Sequence, residues 1–472
     1  MQNTEAFRLK WLKIVKLTSA PFLEIKKKQL AALISDNAHL PDQGTDEWLA
    51  IRRFNIGGSE MSAITGDGGF TNVKKLVASK AGLVNFTGRL ATRWGKMFEK
   101  CTTLFIENVM EINGKIQETS SIKGAVSNQR YSPDGLAVIK MLCCDTINGE
   151  YIERHEYVTV LFEFKSPYSG IPNGKIAKYY VPQVMTGLCS IPIADFAIFV
   201  NNMFRKCALS DLNESTKYDT YFHNKDDGKF EPDEPIALGL IFLYFTKETR
   251  EKFLKQYQKS DDSDDSDDSD DSDDSDEESN AQVFDYDLQC KKKSDNELLI
   301  ENLIVEKKLK DFGKSSYYEF DQLMKLFDLG LISVHYCNPL IIQKNVSKIE
   351  FMKGQFIAKE QDVEQDIQKY KKQIDEFAKE EKLVGFIPYK LFKSDMIVKY
   401  RDPNYLKPHE EKIQTVIQQV RSIVQNTTDM EVIYENYRKV YPNKDDWTDK
   451  EIENSMETYR NTQSCEHMIP TF

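Results

Sequence analysis

Two hydrophobic periods run through this chain. Between 90 and 110 (LATRWGKMFEKCTTLFIENVM) apolar residues fall at 94, 97, 98, 101, 104, 105 and 109, one face of a helix, and predict a core helix. The stretch VTVLFEFKSP, 158 to 167, behaves differently. Val158, Val160, Leu161, Phe162 and Phe164 occupy both faces of an extended chain, which predicts a central strand covered on both sides. Upstream, YSPDGLAVIK (131 to 140) carries turn chemistry at Pro133-Asp134-Gly135 leading into a strand. Asn148-Gly149 is a hairpin signal, so strands over 136–144 and 151–164 are expected to pair antiparallel and to bring Asp134 toward the sheet end that carries Glu163.

The same reading continues to both ends. Residues 1–40 suggest one or two amphipathic helices, with Phe7, Trp11, Ile14 and Val15 in packing roles. NGKIAKYYVPQVMTGLCS (173 to 190) is helical in pattern despite Pro182, with Lys175, Lys178 and Gln183 along one side. Strands are expected at 193–202 and 237–245, a polar helix at the end of the 281–380 stretch, two strands within 385–402 and an amphipathic helix at 410–424. The charged tail beyond 431 is assigned no element.

Composition adds the class. The chain has 472 residues, 40% of them apolar, enough for a substantial core. No run approaches the ~20 apolar residues of a membrane span, and the N-terminal stretch lacks the apolar block of a signal peptide. A soluble, intracellular protein with no membrane partner is expected. The eight cysteines are scattered without CxxC spacing, which argues against a disulfide framework, a structural zinc site or an iron–sulfur cluster.

Net charge is −12, but residues 261–278 carry thirteen acidic side chains and no basic one; removing them leaves +1 for the rest. Local basic patches, and hence a nucleic-acid partner, are compatible with that balance. The repeat at 260–279 is too charged to fold. It reads as a solvated linker, as a DNA mimic over a basic groove, or as a phosphorylation tract around Ser275. The organisation expected is N-terminal helices and a core over 1–202, an insertion over 203–384 containing that linker, a return to the core over 385–430, and a tail over 431–472.

The chemistry concentrates at the end of the central strand. Glu163 and Lys165, two residues apart, project from one face just before Ser166-Pro167 stops the strand. An ordinary salt bridge is one reading, as a turn residue is for Asp134 and a surface position for Glu99 at the margin of the core helix. Together they support another. Hydrolysis of a phosphodiester needs hard oxygen ligands for Mg²⁺, which Asp134, Glu163 and Glu99 could supply, and a cation near the attacking water, which Lys165 could be. In QGTDEWLAIRRFNIGGSEMSAITG (43 to 66), Gly57-Gly58 breaks regular structure and Ser59 stands where a helix N-cap is expected, with Arg52 and Arg53 upstream. That is an anion site, or a self-contained cap with two surface arginines.

The ordered series QGTDEW…R…GGSE, WGKMFE, SPDGL, FEFKSP and YYVPQV over about 43–201 resembles the lambda-exonuclease-type viral recombinases, the YqaJ-like alkaline exonucleases of the PD-(D/E)xK nuclease superfamily. The resemblance resumes at 385–424, around Arg401-Asp402. It implies an α/β, restriction-endonuclease-like core: a mixed β-sheet flanked by helices, here carrying a large insertion. It implies Mg²⁺, two ions, with Mn²⁺ able to substitute, held by Asp134, Glu163, the backbone carbonyl of Phe164 and Glu99. Lys165 would activate water and Gln183 would support the lysine. Arg52 and Ser59 would hold a 5′-terminal phosphate, with Arg53 competing for Arg52's place, and Lys175 and Lys178 would lie along DNA.

The implied function is a 5′-to-3′ exonuclease on linear double-stranded DNA with free 5′-phosphorylated ends, in viral recombination, replication or repair. The implied partners are a single-strand annealing protein and further copies of the chain; the implied location is the host cytoplasm or nucleus, or the virion. A structure-specific endonuclease and a non-catalytic DNA-binding scaffold are the alternatives.

Overall fold

The computed structural model describes residues 22–41, 45–69, 71–84, 90–147, 150–214, 218, 234–246, 327, 332–346, 349, 363–379, 383–443 and 447–466. The expected roles of Phe7, Trp11, Ile14 and Val15, the Asn148-Gly149 turn and the acidic repeat lie outside those residues.

In chain order the helices of five or more residues are α1 (22–37), α2 (Asp46–Arg53), α3 (Met61–Thr65), α4 (Val73–Ala81), α5 (Leu90–Val109), α6 (Val181–Ser190), α7 (Val363–Lys379), α8 (Glu410–Val424), α9 (Met430–Val440) and α10 (Thr448–Glu466). The strands are β1 (Ile56–Gly57), β2 (Ile122–Lys123), β3 (Gln129–Tyr131), β4 (Gly135–Ile147), β5 (Glu150–Lys165), β6 (Phe196–Lys206), β7 (Ala237–Phe245), β8 (Ile332–Tyr336), β9 (Leu340–Ile341) and β10 (Leu383–Lys399).

One mixed sheet carries the molecule, in the order β4-β5-β6-β10-β7-β8, with β9 paired to β7. The expected hairpin forms: β4 and β5 run antiparallel from Gly135 opposite Phe162 to Ile147 opposite Glu150. β5 and β6 are parallel, so α6 crosses between them. The period-two alternation on β5 sorts its side chains to two helical layers. Val160, Phe162 and Phe164 join Trp94, Phe98 and Phe105 of α5, whereas Leu161 joins Val184, Met185 and Leu188 of α6. The sheet flanked by helices is thus the α/β class expected; β5, expected at its centre, is instead second from one edge, and is buried on both faces for the reason its sequence indicated.

Three expectations need correction. The segment over 385–402 is one strand, not two: β10 pairs with β7 over Leu383–Leu391 and with β6 over Tyr389–Lys399, bending at a bulge between Leu391 and Lys393. The two hydrogen-bonding edges of β10 serve the two partners, and Tyr389, Lys390 and Leu391 use both. The helix expected over 173–190 begins only at Val181, with Pro182 in its first turn, because a proline lacks the N–H that an interior position must donate. And the charged tail is helical: Ile433 and Tyr437 of α9 and Ile452 and Met456 of α10 pack with α4 and α8 in a separate core.

The 203–384 stretch contributes to the same sheet. Ile241 of β7, Ile332 of β8 and Ile341 of β9 share the α5-side core with Ile387 of β10. No helix among the described residues is long and apolar enough to cross a membrane.

Candidate active site

The β4–β5 register places Asp134, one residue before β4, beside the end of β5, where its Oδ2 accepts the Phe164 N–H at 2.7 Å. Glu163 is fully buried. Lys165, two residues on and so on the same face, donates from Nζ to Glu163 Oε1 at 2.5 Å and lies 3.9 Å from Asp134 Oδ2. The second carboxylate oxygen, Glu163 Oε2, accepts from the Tyr131 hydroxyl at 2.6 Å. The ammonium also sits 5.2 Å from the centre of the Tyr180 ring. Lys165 and Asp134 keep 21% and 20% of their side-chain surface open, so the cluster is a recess with a mouth, closed at the Glu163 end.

A short polar chain fixes the strand end. Asn202 Nδ2 of β6 donates to Thr102 Oγ1 of α5 at 3.1 Å, and Thr102 Oγ1 lies 3.3 Å from Ser166 Oγ, the residue after Lys165.

Three carboxylates meet one ammonium here. Burial pushes the Asp134 carboxyl well above the usual carboxylate range; Glu163 and Glu99 push the same way, against Lys165 and the Phe164 N–H. The Glu99 carboxyl, carried by α5 on an otherwise exposed residue, is raised too, first by the protein crowding it and then by Glu118 and Glu163, with Lys165 opposing. Burial by itself would lower the Lys165 ammonium, but Glu163 and Asp134 outweigh it and hold the lysine protonated.

Among the described residues, no three His, Cys, Asp or Glu side chains are drawn together as a closed metal cluster. The Lys165 ammonium lies between Glu163 and Asp134. The donor set nevertheless fits a hard divalent ion: carboxyl oxygens and an adjacent backbone carbonyl, with three carboxyl groups set around a single ammonium.

The candidate phosphate pocket differs from its expectation. Ser59 is not an N-cap. It lies inside a 3-10 turn, Gly58–Glu60, and α3 behind it has five residues. Glu60 folds back so that Oε2 accepts the Gly57 N–H at 2.7 Å, while Oε1 receives Arg52 Nε and Nη2 at 3.2 Å each. Arg52 Nη2 also reaches Ser59 Oγ at 3.4 Å, and the guanidinium lies 4.8 Å from the centre of the Trp48 ring. Arg52 and Ser59 are therefore together, with a carboxylate in place of an external anion. Arg53 serves elsewhere: Nε and Nη2 donate to the carbonyls of Lys80 and Ala81, capping α4.

Lys175 and Lys178 are exposed and lie before α6 rather than along it, so the shared helical face expected with Gln183 does not exist. Lys178 pairs with Asp67 at 3.3 Å. Gln183, in the first turn of α6, packs against the Gly58 turn, its Cγ 3.7 Å from where a Gly58 side chain would begin. The loop bearing Lys175 is held by β10: Lys393 Nζ donates to the Pro172 carbonyl at 2.6 Å and Asp395 Oδ2 accepts the Gly174 N–H at 2.5 Å.

Two contributors escaped sequence reasoning. Lys80 is buried, with Nζ donating to the carbonyls of Arg52 and Asn55 at 3.0 and 2.7 Å and pairing with Glu60 Oε2 at 2.8 Å. Its signal, one of three lysines in the nine-residue helix Val73–Ala81, is too common to read. Tyr131 left a better trace. Gly187 stands inside a helix, where glycine costs about 1 kcal/mol relative to alanine, and a methyl there would meet the Tyr131 ring at 2.5 Å.

No family model matches the chain. Its sequence is similar to a protein of African swine fever virus, strain Badajoz 1971, whose name states no activity, with 28% identity over 222 residues. The counterpart from a South African tick isolate matches at 28% over the same length. The match covers 45% of this chain and 63% of the viral protein, so the chain spans less than two thirds of the relatives' length. Among solved structures it is similar to LHK-Exo in complex with dAMP, with a TM-score of 0.24, 17% identity, and coverage of 33% of this chain and 73% of that one. The alkaline exonuclease LHK-Exo from Laribacter hongkongensis gives 0.23 and 18% at the same coverage.

Proposed function

We propose that this chain is a Mg²⁺-dependent deoxyribonuclease of the lambda-exonuclease type, degrading one strand of linear duplex DNA from 5′-phosphorylated ends in the 5′-to-3′ direction. One observation carries the reading. The hairpin register and the end of β5 bring Asp134, Glu163 and Lys165 to a single recess, with Lys165 Nζ 2.5 Å from one carboxylate and 3.9 Å from the other. A protein that only binds DNA gains nothing from carboxylates aimed at phosphates.

Asp134, Glu163 and the Phe164 carbonyl would hold one divalent ion, with Glu99 completing a second position. When bound, the ion would supply Lewis-acid polarisation of the scissile phosphate. Lys165 would turn from its carboxylate partners toward the substrate. Held protonated, it orients the attacking water and counters the charge that grows on the phosphate oxygens. At the other locus, a terminal phosphate dianion would displace Glu60 from Arg52 and take up Ser59 Oγ–H, contacts that a 5′-hydroxyl cannot match. A role in viral recombination, replication or repair beside a single-strand annealing protein fits such an activity, which leaves 3′ single strands.

Linear duplexes labelled at either end and carrying a 5′-phosphate or a 5′-hydroxyl test polarity and end preference together. Early loss of the 5′ label from phosphorylated ends supports the proposal. Early loss of the 3′ label, or equal attack on both kinds of end, contradicts it.

A further inference from the structure

Tyr131 has no place in the chemistry described above, yet the fold converges on it. It ends β3, which pairs in parallel with β1 (Ile56 opposite Gln129, Gly57 opposite Arg130) and antiparallel with β2. Its ring is buried at 1% exposure, in a slot built by two glycines. A methyl on Gly58 would meet ring carbons Cδ2 and Cε2 at 2.5 and 2.8 Å, and one on Gly187 would meet Cζ and Cε1 at 2.5 and 2.7 Å. Neither glycine has the positive φ that would require glycine for backbone reasons. Their smallness serves the ring. The slot leaves the hydroxyl one place to go, 2.6 Å from Glu163 Oε2.

We propose that Tyr131 is a positioning residue: its hydroxyl fixes the rotation of the buried Glu163 carboxylate and so sets the affinity of the recess for a divalent cation. This rests on the metal reading above. With Oε2 tied to the hydroxyl, Glu163 turns Oε1, the oxygen facing Lys165, toward the opening it shares with Asp134. Because the slot is made by the Gly58–Glu60 turn and by α6, the same ring ties the Arg52–Ser59 locus to the carboxylates. A group that orients a metal-binding side chain without touching the metal typically changes affinity by roughly 10- to 100-fold when removed.

The test is Mn²⁺ binding to the metal-free full chain, read from the electron paramagnetic resonance of free Mn²⁺, for the wild type, Tyr131→Phe and Gly58→Ala. Phenylalanine keeps the ring and removes the hydroxyl; alanine keeps the hydroxyl and displaces the ring. Each is expected to weaken Mn²⁺ binding by roughly tenfold or more. In a nuclease assay the half-saturating Mg²⁺ concentration should rise in parallel, with the KM for DNA little changed for Tyr131→Phe. Unaltered Mn²⁺ affinity in whichever variant folds overturns the inference. If the wild type binds Mn²⁺ and cleaves DNA while Tyr131→Phe matches it, only the role of Tyr131 fails; if the wild type binds no Mn²⁺, the metal reading falls and this inference with it.

Discussion

Arg52 Nη2 lies 3.2 Å from Glu60 Oε1 and the same nitrogen reaches Ser59 Oγ at 3.4 Å, so the guanidinium proposed to meet a terminal phosphate already holds a carboxylate. An arriving phosphate would have to compete with Glu60, and its second negative charge would favour it. Arg52→Ala should therefore reduce the rate ratio between 5′-phosphate and 5′-hydroxyl ends by about tenfold, the worth of one charge-assisted hydrogen bond. Initial rates on the two duplexes measure it; an unchanged ratio would remove Arg52 from the pocket.

Glu60 also neutralises the buried Lys80 ammonium, at 2.8 Å. Glu60→Gln leaves that charge without its partner, and the loss should be about 3 kcal/mol in denaturant unfolding at pH 7. Burial opposes the Glu60 charge, but Lys80 and Arg52 prevail and hold the carboxyl below its ordinary value. A depressed folded-state value stabilises above the unfolded value, near 4.5, and that contribution disappears as the pH falls through the folded one. Wild type should lose more stability than Glu60→Gln between pH 5 and pH 3. Parallel curves would show that Glu60 is not the group responsible.

Lys165 is the cation set directly against Glu163 and Asp134. Lys165→Ala should lower turnover by roughly 10²- to 10⁴-fold. It should also lower the melting temperature in EDTA, because the carboxylates then face one another unscreened, and Mg²⁺ should restore more stability to the variant than to the wild type. Thermal melts with and without Mg²⁺ read this. Equal Mg²⁺ effects on the two proteins would contradict the charge balance described here.

Arg401, just past the end of β10, caps the C-terminal end of α6. Its Nε donates to the Leu188 carbonyl at 2.7 Å and its Nη2 to those of Ile191, Pro192 and Ala194 at 3.0, 3.1 and 2.6 Å. Arg401→Ala removes these four donations, leaving the Ile191 carbonyl with the Ala194 N–H, and should cost about 2–3 kcal/mol, with cleavage retained at low temperature. A fall in turnover at unchanged stability would instead assign Arg401 a part in the chemistry.

What could be read from the sequence was whatever disturbed a regular period. Glu163 and Lys165 interrupt a run of strand-forming apolar residues, and Pro133-Asp134-Gly135 marks the entry to the neighbouring strand; the hairpin register brings the two together. The continuous β10 was hidden by residues that break alternation. Pro388 accepts the Cys207 N–H on its carbonyl, and buried Lys390 donates to the carbonyls of Asp211 and Glu214. Such partners come from distant chain and leave no local mark.

Glu60 shows the limit at the site itself. Its place next to Ser59 suggested a helix start, but the ion pairs with Arg52 and Lys80 that decide its position depend on α2 and α4 packing beside it. Tyr131 was legible only through its glycines, and only once the ring was seen between them.

The most direct measurement is release of nucleotides from linear duplex DNA by the wild type and Asp134→Asn, each in Mg²⁺ and in EDTA, with DNA binding followed in parallel. The account predicts release by the wild type in Mg²⁺ alone, and a variant that binds DNA but releases nucleotides at least about 10³-fold more slowly. Release that persists in EDTA, an Asp134→Asn rate equal to the wild type's, or a wild type that binds DNA and never cleaves it would contradict the assignment of this recess as a metal-dependent nuclease site.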